Sequence, residues 1–183
     1  MADENAFGLV AAGIMGKGLG GDARRIFVAG WSVGATLAAV LTLRRELYAD
    51  YGLADDVIKA CFACSGGFEY PARRLAPGNS GRTCGDILYA RPADDRPAAP
   101  LHYTAGNRTP FHISHGANDI AHVIDLSAAM AGALRAQDCV LAYERFDGLD
   151  HYQTNLAQAE PANPWITTVR AWMSQPPVVQ DRA

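Results

Sequence analysis

The chain is poor in charge and, among its charges, almost without lysine. Charged residues make up 19% of its 183 residues, against 49% hydrophobic ones. That proportion supplies a core and excludes disorder of the whole chain. Lys17 and Lys59 are the only lysines among 16 basic residues, and 19 acidic residues outnumber them all. A formal net charge of -3 and a pI near 5.9 exclude the basic footprint of a nucleic-acid-binding protein. The amino terminus, Met1-Ala2-Asp3-Glu4-Asn5, lacks the basic residues of a secretory signal. Long hydrophobic runs are lacking too. The longest uncharged run, Phe27 to Leu43, lies between Arg24-Arg25 and Arg44-Arg45 and contains Gly30, Ser32, Gly34, Thr36 and Thr42. It falls short of the roughly 20 residues a membrane span needs and reads as a buried strand, turn and helix. Cys61, Cys64, Cys84 and Cys139 form no dense framework. Without a signal, they predict a reducing, cytoplasmic setting and no membrane partner. There is no internal repeat, and at roughly 100–200 residues per domain the length suits one domain.

What is present alternates. Phe7, Val10, Ala11 and Ile14 have helical spacing within residues 3–16, and the cluster Gly16 to Gly21 ends that helix. Arg25 to Ala29 is a β-favouring run. Val33 to Tyr48, rich in alanine and leucine and free of proline, predicts a helix that Gly52 stops. Val57 to Ala63 predicts a second strand. Residues 65–109 hold most of the prolines, many glycines and scattered arginines, with weak helix over Gly85 to Tyr89; they read as a functional loop or cap. A strand at Phe111 to Ser114, a helix at Val123 to Leu134 and a strand at Val140 to Phe146 follow. Asn163-Pro164 is a helix start, and Trp165, Val169, Trp172 and Met173 form its apolar stripe. Ser174 to Ala183 reads as a tail. Alternation of this kind implies a parallel sheet with helices on both faces, with loops at the carboxyl ends of the strands available for chemistry.

One such loop carries a motif. Gly30-Trp31-Ser32-Val33-Gly34 is G-x-S-x-G, with a hydrophobic strand before it and a helix after it. That context is the one a nucleophile elbow requires. The expectation is that both glycines remove β-carbons that would strike neighbouring backbone, and that the turn lifts the Ser32 hydroxyl above the sheet. A serine nucleophile needs a base, and the base an orienting carboxylate. Asp119 follows the third strand and His151 lies in the loop after the fourth. The order Ser32, Asp119, His151 is that of α/β-hydrolases.

The stretch from Gly20 to Ile26, leading into this motif, resembles the elbow region of α/β-hydrolase esterases. It is most similar to the hormone-sensitive-lipase-like and kynurenine formamidase (arylformamidase) branch. Thr109 to Asp119 resembles that branch's P-x-h-h-x-H-G-x-x-D acid segment, where h is apolar, and Phe146 to His151 its F-x-G-x-x-H segment. Ala23 replaces a usual proline, and Trp31 and Val33 flank the serine where His and Ala are commoner. The resemblance implies Ser32 as nucleophile, Asp119 as acid and His151 as base. It implies a small ester or amide substrate and no metal or organic cofactor. The branch's H-G-G oxyanion loop is absent; Leu19-Gly20-Gly21 and Ser65-Gly66-Gly67 do not stand in its place, so the Val33 N–H is the one assigned oxyanion donor. The expected architecture is therefore α/β, hydrolase-like and shortened to a C-terminal portion, over residues 1–175 with a cap-like insertion at 65–109 and a tail at 176–183. Two functions follow: a serine hydrolase of small carboxylic esters or formamides, or a truncated, non-catalytic subunit whose exposed sheet edge takes a second copy or a partner chain.

Other patterns weigh less. Gly16 to Gly21 contains G-x-G-x-x-G but follows a helix and opens a strand, the reverse of a dinucleotide site. Gly16-Lys17 lacks the Ser or Thr of a P-loop. Cys61 and Cys64, like His112 and His115, are three apart on a strand and face opposite sides, so neither pair predicts a metal site. His122 reads as a surface residue, and Asp147 and Asp150 are rival acids ranked below Asp119. Asn107-Arg108-Thr109 is a chance glycosylation match. Arg73, Arg74, Arg82 and Arg91 read as a solvated loop face rather than an anion site.

Overall fold

A computed structural model describes residues 21–22, 24–69 and 98–177. The expected helix over 3–16, the weak helix over 85–89, the loop arginines, Cys84 and the last residues of the tail lie outside them. Among the described residues, four parallel strands make one sheet in the order β1-β2-β3-β4: β1 (Ile26–Trp31), β2 (Ile58–Cys64), β3 (Phe111–Gly116) and β4 (Leu141–Phe146). The helices are α1 (Val33–Leu43), α2 (Ala121–Arg135), α3 (His151–Ala157) and α4 (Pro164–Ser174). No helix among the described residues is long and apolar enough to cross a membrane.

Helices cover both faces, as the alternation implies. Side chains along a strand alternate between faces, and β2 shows the result. Cys61 and Ala63, with Phe111 and Ile113 of β3, pack against Ala35, Ala38, Ala39 and Leu43 of α1 and Met130 and Leu134 of α2. Ala60 and Phe62 point the other way, onto Trp165, Val169 and Trp172 of α4. Strands buried on both faces usually read as continuous apolar runs; β2 does so from Ala60 to Cys64, whereas β3 is buried throughout while carrying His112, Ser114 and His115. The outer strands β1 and β4 are only partly buried.

Three elements differ from expectation. α1 ends at Leu43 rather than at Tyr48, where Arg44 leaves helical geometry and two 3-10 turns follow. Tyr48 is buried beneath the helix end, its hydroxyl donating to Leu41 O at 2.6 Å, and that tertiary contact outweighs the helix propensity of the intervening residues. Gly52 does end the segment, with φ at 64°. His151 opens a helix of its own, α3, rather than lying in a loop. The two motif glycines are also unequal. A β-carbon on Gly30 would lie 2.2 Å from the Gly34 backbone and 2.6 Å from Ala35 N, whereas one on Gly34 meets nothing within 4 Å among the described residues. Gly34 sits on the exposed side of the first helical turn, so only Gly30 has the steric role expected of both.

That asymmetry gives a stability test. Gly30→Ala should cost about 1–3 kcal/mol or more, because backbone has to move. Gly34→Ala should be neutral or stabilising by up to ~1 kcal/mol, since alanine favours the helix. Urea unfolding of both variants measures the difference; equal losses would contradict it.

Candidate active site

Ser32 is the single residue between β1 and α1. Its φ of 55° and ψ of -123° are unusual for a residue with a β-carbon. Both sides enforce it. Its N–H donates to Cys64 O at 2.9 Å, adding a rung to the β1–β2 ladder, and its carbonyl accepts from Ala35 N at 3.0 Å and Thr36 N at 3.2 Å, which starts α1. A single strained residue of this kind costs about 1–3 kcal/mol and persists only where its surroundings over-determine it. Ahead of those two bonds, the N–H groups of Val33 and Gly34 have no acceptor within the helix itself.

The other two candidate residues are brought in by the loops after β3 and β4, which are tied to each other; Asp119 lies in the first and His151 opens the helix that follows the second. Ala117 N donates to Phe146 O at 2.9 Å and Asn118 N to Leu149 O at 3.0 Å. A β-carbon on Gly116 would stand 2.2 Å from Leu149 O, so glycine permits this approach. Asp150 caps α3: its carboxylate accepts from Gln153 N at 2.8 Å, and Asp150 N donates to Gln153 Oε1 at 2.9 Å. Of the rival acids, Asp150 is thus occupied as a cap, and Asp147 pairs with Arg145 at 3.0 Å.

The structure brings Ser32, His151 and Asp119 together. His151 Nδ1 lies 2.7 Å from Asp119 Oδ1, and His151 Nε2 lies 3.0 Å from Ser32 Oγ. A carboxylate only accepts, so Nδ1 carries the proton, and the neutral ring's Nε2 is left to accept from the serine hydroxyl. Burial alone would raise the Asp119 carboxyl. Donation from the Ser65 hydroxyl, the Ile120 N–H and His151 outweighs burial and holds it below the ordinary carboxylate value. Its contacts are Ser65 Oγ to Oδ2 at 2.6 Å, Ile120 N to Oδ1 at 2.8 Å and Gly116 N to Oδ2 at 3.4 Å. Two donors meet the His151 carbonyl: Trp31 Nε1 at 2.9 Å and Thr154 Oγ1 at 2.6 Å. The Trp31 indole also lies against the imidazole, with ring centroids 4.7 Å apart.

The sequence pattern alone assigns no role to Ser65, Thr154 or Trp31. Trp31 was visible as the unusual residue before the serine, and the capping box Asp150-x-x-Gln153 was the available sign of α3. Ser65 and Thr154 carry no motif. The remaining candidates lie elsewhere. His112 is buried beside Glu144, 3.0 Å away, and His115 lies 2.8 Å from the Tyr143 hydroxyl. Cys61 and Cys64 are buried free thiols, and burial pushes Cys61 up to about 12. Asn107 is buried, its amide donating to Thr109 O at 2.8 Å, and is not presented for glycosylation. No cluster of metal-ligating side chains occurs among the described residues.

The depressed Asp119 carboxyl fixes a pH dependence. A group whose folded value is lowered contributes stability that is complete above its ordinary value and is lost as pH falls through the folded one. Wild type should therefore lose more unfolding free energy than Asp119→Asn between about pH 7 and about pH 3. Parallel curves in urea titrations would contradict this.

No family model and no curated protein matches the sequence. Solved structures do match. An esterase of Pyrobaculum calidifontis is 18% identical, with a TM-score of 0.70, over 94% of this chain and 59% of its own. A thermophilic carboxylesterase from a metagenomic library is 21% identical, with a TM-score of 0.70, over 94% and 63%. A thermostable esterase of Pseudomonas putida is 20% identical, with a TM-score of 0.64, over 99% and 60%. The chain thus spans less than two thirds of the length of each. The sheet order, the helices on both faces and this likeness together show that the chain has the α/β-hydrolase fold.

Proposed function

We propose that the chain carries the catalytic site of a serine hydrolase acting on a small carboxylic ester or a formamide. The observation that carries this reading is the unbroken series of contacts from Ser32 Oγ through His151 to Asp119, at 3.0 and 2.7 Å. His151 Nε2 takes the hydroxyl proton as Ser32 Oγ attacks the substrate carbonyl. Asp119 holds the imidazole tautomer and stabilises the imidazolium. The Val33 N–H donates to the oxyanion as the tetrahedral intermediate forms. Collapse expels the alcohol or amine, protonated by His151, and leaves an acyl-enzyme. Water, activated by the same imidazole, then releases the acid. The residue that follows each of the three is apolar and exposed: Val33 after Ser32, Ile120 after Asp119 and Tyr152 after His151. Such a rim suits an uncharged substrate. The names of the solved neighbours favour esters; the motif resemblance favours the formamidase branch as the source of the second substrate class. No step needs a metal or organic cofactor.

A second reading is favoured by one observation, that among the described residues β1 stands at the end of the sheet. Ile26, Phe27 and Val28 there are only partly buried. In this reading the chain is a hydrolase-like subunit whose β1 edge pairs with a second copy or a partner chain. A native mass equal to one chain, together with full turnover, would contradict it.

Hydrolysis of p-nitrophenyl acetate and of N-formylaniline by the purified chain tests the first reading. Ser32→Ala should lower turnover at least ~10³-fold on whichever is cleaved. Equal rates for wild type and Ser32→Ala would sink it.

A further inference from the structure

Among the described residues, two that are not glycine have a positive φ: Ser32 at 55° and Ser65 at 52°. Both directly follow neighbouring strands, β1 and β2. The elbow accounts for Ser32. Nothing in the proposed chemistry so far accounts for Ser65, which is 0% exposed. Glycine would take this backbone without strain, so the side chain is the feature to explain.

That side chain sits behind the acid. Ser65 N donates to Ser114 O at 2.7 Å, which pins the residue to β3. Ser65 Oγ lies 2.6 Å from Asp119 Oδ2 and 3.0 Å from Thr154 Oγ1. The carboxylate only accepts, so the Ser65 proton goes to Asp119. The Ser65 lone pairs then face Thr154, which is also fully buried and whose one proton is placed between Ser65 Oγ and the His151 carbonyl. A ring of contacts closes: His151 Nδ1 to Asp119, Asp119 to Ser65, Ser65 to Thr154, Thr154 to the His151 backbone.

We propose that Ser65, backed by Thr154, is a positioning residue that fixes the plane of the Asp119 carboxylate so that Oδ1 faces His151 Nδ1. This deepens the serine-hydrolase reading and rests on it. Oδ1 is already claimed by His151 and the Ile120 N–H. Oδ2 has Ser65 at 2.6 Å and, otherwise, only the long 3.4 Å contact from Gly116 N. The terminal torsion of an aspartate is broad, so removing Ser65 frees the carboxylate to turn in search of a donor. The Nδ1 proton then loses its fixed acceptor, and His151 no longer holds one tautomer with Nε2 free for Ser32. The lowered Asp119 carboxyl agrees, since the Ser65 hydroxyl contributes to that lowering. Ser65 does not touch Ser32 or the reacting atoms.

The test uses the full chain with ¹⁵N-labelled histidine. In wild type the His151 ring signals should show Nδ1 protonated and Nε2 bare. In Ser65→Ala and Ser65→Gly the two signals should move toward each other as tautomers mix. kcat on the ester should fall about 10- to 100-fold with KM held within about twofold, the size expected for a hydrogen bond to a charged group. Ser65→Gly relieves the positive φ and keeps a folded protein available. A role in folding alone predicts that this variant restores wild-type kcat and leaves the His151 signals in place, and that result overturns the proposal. Unchanged His151 signals overturn it even where kcat falls, because the loss then lies elsewhere. The ring signals need no substrate. Shifted signals in a chain without ester turnover would therefore support the positioning role while the hydrolase reading fails.

Discussion

The hydrogen bond between His151 Nδ1 and Asp119 Oδ1, 2.7 Å long, joins the loop after β3 to the first residue of α3, 32 residues further along the chain. Its existence depends on β3 and β4 lying side by side in register, and on their trailing loops approaching closely enough for Asn118 N to reach Leu149 O. Gly116 permits that approach because it has no β-carbon. In the proposed chemistry the strained Ser32 needs a base at its hydroxyl, and the contact with Asp119 gives the His151 ring one fixed orientation.

The ends of the strands explain how four segments meet at one point. Parallel strands deliver all their carboxyl ends to the same edge of the sheet. β1 presents Ser32, β2 presents Ser65 and β3 presents Asp119, while β4 leads into the helix that His151 opens. Asp119, Ser65, Thr154 and His151 are buried there and contact one another, and a buried network whose members are satisfied gives rigidity rather than cost. Trp31 adds a second kind of support. Its indole donates to the His151 carbonyl and lies against the imidazole, so the strand carrying the serine also holds the base.

Much of this was legible in the residues, for identifiable reasons. β2 shows itself by its apolar run Ala60 to Cys64 after Lys59, β3 alternates apolar and polar residues although it is buried on both faces, and the cap Asn163 with Pro164 marks α4 within a residue. The Asn163 side chain does accept from Trp165 N at 2.8 Å. The helix α3 was not seen because seven residues, mostly polar, show no apolar stripe; its signal was the capping box alone. The early end of α1 was not seen because a burial event, Tyr48 beneath the helix end, decides it. Gly34 was given a steric duty that only Gly30 has, since a motif shows residue types and not the direction in which a β-carbon would point. Ser65 and Thr154 were invisible for a stronger reason. Their importance lies in contacts between β2, the acid loop and α3, and serine and threonine are common everywhere.

The most direct test of the central claim is covalent. A fluorophosphonate loses fluoride as an activated serine oxygen bonds to phosphorus, and intact-mass measurement with peptide mapping reads the adduct without any choice of natural substrate. The account predicts one phosphonyl group per chain, carried on Ser32, and none on Ser32→Ala. Wild type that stays unlabelled, or a label that persists unchanged in Ser32→Ala, would contradict it.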